Sequence, residues 1–211
     1  MSSHAVSVKK GINIELVSIV WMVIEAAVAI GSGILAHSLS LVAFGVDSII
    51  ELLAAAVLLW RLTIEASGTS LAQGKRAEKS SSGGVGIALL LLAVYIVVAS
   101  VDKFATHQGA EATYVGIGLA IASGIIMPYI SRAKKRIGSE IGSKALRADG
   151  SCSMVCAYMA WTVLGGTLLN ALLGWWWIDS IAALALVYFV VKEGWEAVEE
   201  ARGKEDACGC H

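Results

Sequence analysis

Six stretches of the chain are apolar over the roughly 20 residues that a helix needs to cross a bilayer at 1.5 Å per residue. They run from Ile12 to Ala36, Ser40 to Leu62, Gly84 to Phe104, Thr113 to Ser131, Ala145 to Leu172 and Trp176 to Ala197. Backbone in hydrocarbon must satisfy its own polar groups, so each stretch is expected to be helical. The expected fold is therefore an all-α membrane protein. A six-helix transmembrane bundle would occupy residues 1–198, and a short tail residues 199–211. Charged residues make up only 16% of the chain, against about 25% in soluble domains. The formal net charge of −1 argues against a nucleic-acid partner and leaves the lipid bilayer as the main surroundings.

The N-terminus loosely mimics a signal peptide, with Lys9 and Lys10 ahead of an apolar run. That run is too long, and Glu15 and Glu25 interrupt it, so it reads as a retained first helix. Residues 61–84 are polar and rich in Gly and Ser, which predicts a mobile loop. Residues 131–144 read as a basic linker. With six spans, both termini and these two connections share one side, as do 15 of the 16 Lys and Arg residues; Lys103 stands opposite. The positive-inside rule then places both termini in the cytoplasm, and Trp175, Trp176 and Trp177 form an aromatic belt at the outer interface.

Into the second apolar stretch the sequence sets Asp47 and Glu51. Four residues apart, they share a helix face. Counted from Ser40, they lie about 10–17 Å deep. A carboxylate at such depth costs at least roughly 2.5 kcal/mol on insertion scales and faces a cavity, an ion path or a partner. In the fifth stretch "CSMVC" sets Cys152 and Cys156 at the same spacing. Alone, two cysteines on one helix read as small core hydrophobes. With two carboxylates opposite, they complete the four ligands that a tetrahedral divalent ion takes. No Lys, Arg or His is expected at equal depth.

Glu25 is also deep, and two roles stand open for it: proton relay, or hydrogen bonding to a neighbouring helix. Glu15, Asp102, Asp149 and Asp179 lie nearer helix ends and read as caps or loop-ordering groups. The four histidines fall in tails or loops. The C-terminal "CGCH" packs Cys208, Cys210 and His211 into a candidate soft-metal capture site.

These stretches resemble the cation diffusion facilitators, a family that exports zinc and related divalent metals. "SLSLVAFGVDSIIE" is similar to the family's second-helix metal motif, with Asp47 and Glu51 at the ligand positions. "ALRADGSCSMVC" is similar to its fifth-helix motif, with Cys152 and Cys156 where the family has His and Asp. "GKRAEKS" and "WIDSIAALALVYFVV" resemble the entry to the third helix and the body of the sixth. The resemblance implies export of divalent metal by six helices. It also implies a homodimer, here resting on small residues such as Gly116, Gly118 and Ala122. Most members continue into a cytoplasmic metal-binding domain, whereas this chain is expected to end shortly after its sixth helix, in a bacterial plasma membrane.

Two cysteines soften the site toward zinc, cadmium, mercury or Cu(I). The carboxylates argue against a purely monovalent ion, so Zn2+ or Cd2+ is the expected cargo, with no organic cofactor. Four ionised ligands carry −4, and a divalent ion leaves −2. The empty site should therefore hold protons that metal displaces, which makes the carrier an antiporter. Two other readings stand beside it: a non-transporting metal sensor or partner subunit, and a membrane thiol-disulfide oxidoreductase using Cys152 and Cys156.

Overall fold

In the computed structural model the described residues are 2–66, 71–107, 110–111 and 113–201. Cys208, Cys210 and His211 lie outside them. Six helices follow one another: α1 (Ser2–Leu35), α2 (Leu39–Ala66), α3 (Leu71–Thr106), α4 (Tyr114–Ile141), α5 (Lys144–Leu173) and α6 (Ile178–Ala201). Five contain a span long and apolar enough to cross a membrane, and α6 packs into the same bundle, chiefly against α3.

The helices outrun the apolar stretches at the end that carries the chain termini. Most of the expected Gly/Ser loop is helical, because α2 continues to Ala66 and α3 begins at Leu71. The expected basic linker is the last part of α4 and a tight turn, where Gly142 takes φ 69° and Ser143 caps α5 by accepting from the Leu146 N–H. Hydropathy marks the thickness of the bilayer, and a helix stops only at a stop signal.

Helix α2 touches α1, α3, α5 and α6, so a side chain on it can face the middle of the bundle. Helices α1, α2, α4 and α5 share a core built around Phe44, Met127, Met159 and Ala160, all fully buried. Close approach of α1 and α2 rests on Gly33 and Gly45. A Cβ at Gly45 would stand 2.9 Å from the Ile30 backbone nitrogen. Gly116, expected to serve a dimer interface, is instead buried against Leu41 of α2 within the chain. Gly118, by contrast, stands in open space.

Pro128 interrupts α4 and leaves the Gly124 carbonyl without its usual donor. The Trp161 indole of α5 fills that role, donating to the Gly124 oxygen at 3.0 Å. In lipid the repair matters, because no water reaches an orphaned carbonyl. Trp161→Phe keeps an aromatic ring and removes the donor. It should lower the unfolding free energy in detergent titration by about 1–3 kcal/mol.

At the end opposite the termini, Asp179 orders the α1–α2 corner. Its carboxylate accepts from Ser38 Oγ at 2.6 Å, Ser40 Oγ at 2.6 Å and the Leu39 N–H at 2.7 Å. Lys103 of α3 approaches it at 3.5 Å and donates to the His37 carbonyl. The loop-ordering role expected of Asp179 is what the structure shows. Trp175 and Trp177 stack at 5.0 Å on the same end, and Trp176 lies against Phe104 and His107.

At the termini end a residue of the expected basic linker is buried instead of solvated. Lys134 of α4 is fully buried, 3.3 Å from Glu15 of α1 and bonded to Asp149 of α5. Glu15 and Asp149 thus bridge helices and cap none. Asp102 stays exposed near the end of α3.

Candidate metal centre

The i, i+4 spacing on α2 carries Asp47 and Glu51 to the same inward face, where they are 0% and 7% exposed. Across from them α5 places Cys156, also fully buried. One ligand atom from each of the three lies within 4.8 Å of the others. Ligands of a tetrahedral ion at 2.0–2.3 Å stand roughly 3.5 Å apart, so a small inward adjustment closes the set.

None of the four oxygens of Asp47 and Glu51 has a hydrogen-bond partner. Buried carboxylate oxygens almost always find one, and a cluster of orphaned acceptors suits a cation. Lys134 does not supply the counter-charge, being bonded to Glu15 and Asp149. The donor set of two carboxylates and one thiol fits a divalent cation.

Cys152 does not join this group. It is only partly buried, and its thiol interacts with the Glu193 carboxylate of α6. The expected four-residue cage is therefore three residues here. Four residues along α5 advance about 6 Å and leave the faces about 40° apart. Crossing helices meet closely at one level only, so one cysteine of the pair faces α2 and the other passes it.

Glu25 lies beside the centre, fully buried on α1. Its carboxylate accepts from four helices: Trp21 Nε1 at 3.0 Å, Ser48 Oγ at 2.7 Å, Ser123 Oγ, and Cys156 Sγ at 3.4 Å. The bonds from Ser48, Ser123 and Cys156 are the interhelical hydrogen bonds expected of it as one of its two roles. Through Ser48 and Cys156 it sets the side chains next to Asp47 and opposite Glu51.

The sequence reading missed Glu193. It is 8% exposed, its Oε2 has no hydrogen-bond partner, and it is near enough to Asp47 and Glu51 to act on them electrostatically. Its position near the end of the sixth apolar stretch made it look interfacial. The available signal was its helical register, since Glu193 falls seven residues after Leu186 and three after Val190, both fully buried.

Residues 16–203 match the cation efflux transmembrane domain family. Among individual proteins, the chain is 27% identical to an uncharacterized transporter of Synechocystis sp. over 81% of its own length and 56% of the relative's. It is 25% identical to transmembrane protein 163 of Xenopus laevis, over 74% of this chain and 54% of that one. It is 21% identical to the manganese efflux system protein MneS of Bacillus subtilis, over 92% and 67%. The chain thus spans about half the length of the first two relatives. Its apolar helices and its bacterial relatives make it a multi-pass protein of the plasma membrane. With most of its length matched, the chain belongs to the cation efflux transmembrane domain family.

Proposed function

We propose that the protein exports thiophilic divalent metal, Zn2+ or Cd2+, in exchange for protons, by alternating access to the centre formed by Asp47, Glu51 and Cys156. The observation that carries this reading is the convergence of two buried carboxylates, without a donor among them, on one buried thiol. Cysteine is what separates this donor set from an all-oxygen one. Thiolate favours zinc and cadmium, whereas carboxylates and carbonyls suit manganese, magnesium and calcium. The manganese named for the Bacillus relative is the competing cargo, and two of the three ligands here would accept it.

Coupling follows from charge. Three ionised ligands carry −3 and a divalent ion leaves −1, whereas three bare anions within 4.8 Å of one another in a low-dielectric interior repel strongly. The metal-free centre therefore holds protons, and metal entry releases them. The termini end carries most of the Lys and Arg and is assigned to the cytoplasm. Outward metal flux and inward proton flux follow from an alkaline, metal-loaded cytoplasm. A homodimer of membrane helices would place Gly118 and Ala122 of α4 at the contact. The thiol-disulfide reading is disfavoured because the two thiols engage different carboxylates, Cys156 with Glu25 and Cys152 with Glu193.

The test is flux of Cd2+, Zn2+ and Mn2+ into proteoliposomes holding a fluorescent chelator. An acidic lumen should accelerate accumulation and an alkaline lumen slow it. Cys156→Ser should cut Cd2+ flux by about tenfold or more, a loss near 1.4 kcal/mol, with a smaller effect on Mn2+. Mn2+ flux that exceeds Cd2+ flux and ignores the substitution would reject the soft-metal assignment. Absence of flux for all three ions would favour the sensor or partner-subunit reading.

A further inference from the structure

A cavity of about 220 Å³ opens between the termini-end halves of α4, α5 and α6. Its lining includes Cys152, Glu193, Glu196, Ser151, Lys135 and Lys192. Lys192 is 57% exposed and turns toward Glu196 at 4.0 Å, and Lys135 is half-buried, so the cations belong to the rim. The floor is different. There the Cys152 thiol meets Glu193, a carboxylate 8% exposed whose Oε2 accepts no hydrogen bond. An orphaned, buried carboxylate oxygen beside a thiol is the donor pair that a soft divalent ion takes.

We propose that Cys152 and Glu193 form a second metal site, a loading station for a thiophilic divalent cation on its way to Asp47, Glu51 and Cys156. Binding forms an Sγ–metal bond and releases the thiol proton to water, while Glu193 turns from accepting the thiol hydrogen bond to ligating the ion. Water completes the shell. The step onward is short. Cys156 lies one turn further along α5, about 6 Å, and Glu193 acts electrostatically on both Asp47 and Glu51. An ion therefore passes from one sulfur to the next without leaving anionic surroundings. The rim lysines oppose a bare dication, so retention at the floor depends on coordination rather than on net charge.

The site rests on the export reading for its purpose, and its chemistry is read separately. In the full-length chain with Cys156→Ser, Cys208→Ser and Cys210→Ser, Cys152 is the only thiol left. Titration with Cd2+ should raise a saturable thiolate-to-cadmium charge-transfer absorption at one ion per chain. Adding Glu193→Gln should weaken the affinity by about tenfold or more, and Glu193→Asp should recover most of it. No absorption from the lone Cys152, or a band indifferent to Glu193→Gln, would overturn the proposal. So would a Glu193→Asp chain as weak as Glu193→Gln, because the carboxylate would then matter only for packing. The companion chain, keeping Cys156 and carrying Cys152→Ser with the tail cysteines replaced, reports the central site. If its band is missing while that of Cys152 persists, the central soft-metal centre fails, and Cys152 with Glu193 stands as a metal site without a loading role.

Discussion

Asp47→Asn should reduce Cd2+ and Zn2+ flux in proteoliposomes by about 100-fold or more, while the chain melts no lower than the wild type. The first half follows from ligand count. In the proposed centre Asp47 would supply one of three ligands, and even outer partners of a metal site are worth 10–100-fold in affinity. The second half follows from burial. Both carboxylate oxygens of Asp47 are sequestered without a donor, so the folded state gains no hydrogen bond from them against the cost of their burial. An isosteric amide removes a latent charge and keeps the volume. Loss of flux with unchanged or raised stability marks a functional group, and loss of both would mark a structural one.

Lys134→Met should have the opposite signature. The ammonium is fully buried between Glu15 and Asp149, and its removal leaves two carboxylates facing each other with no counter-charge. Breaking one partner out of a buried ionic group costs about 3–5 kcal/mol. Chemical denaturation in detergent should register a loss of that size. It should shrink on acidification, because protonating the stranded carboxylates relieves them. The triple replacement Glu15→Gln, Lys134→Met, Asp149→Asn should regain most of the stability, since a neutral cluster has no desolvated charge to balance. A triple variant as unstable as the single one would show that packing, not charge, makes Lys134 necessary.

Much of the centre could be read from the chain itself. Asp47 and Glu51 announced themselves because hydrocarbon tolerates so few carboxylates, and a four-residue spacing fixes a common face whatever the helix packs against. Cys156 was legible as their partner only by chemistry, and the structure brings it there. Cys152 was not separable from it in sequence: identical spacing on two helices does not mean identical facing, because crossing helices diverge away from their contact. Lys134 was hidden for another reason. It sits in the run "RAKKR", which looks like solvated linker, and its burial depends on Glu15, 119 positions earlier. Hydropathy likewise located the spans but not the helix ends, since α3 and α4 continue through Ser, Gly and Lys where no proline or capping signal stops them.

The two ionic clusters take on a joint meaning when their positions are compared. Asp179 with Lys103 ties the α1–α2 corner to α3 and α6 at one end, and Lys134 ties α1, α4 and α5 at the other. Each is a latch, and each binds a different set of helices. If one latch opens while the other holds, the closed end serves as the pivot, and the bundle can part on one side alone. A membrane with a steep proton gradient tolerates no moment of continuous water across it. Under the proposed exchange of metal for protons, two latches fastened to different helices at opposite ends would let one end open while the other stays shut.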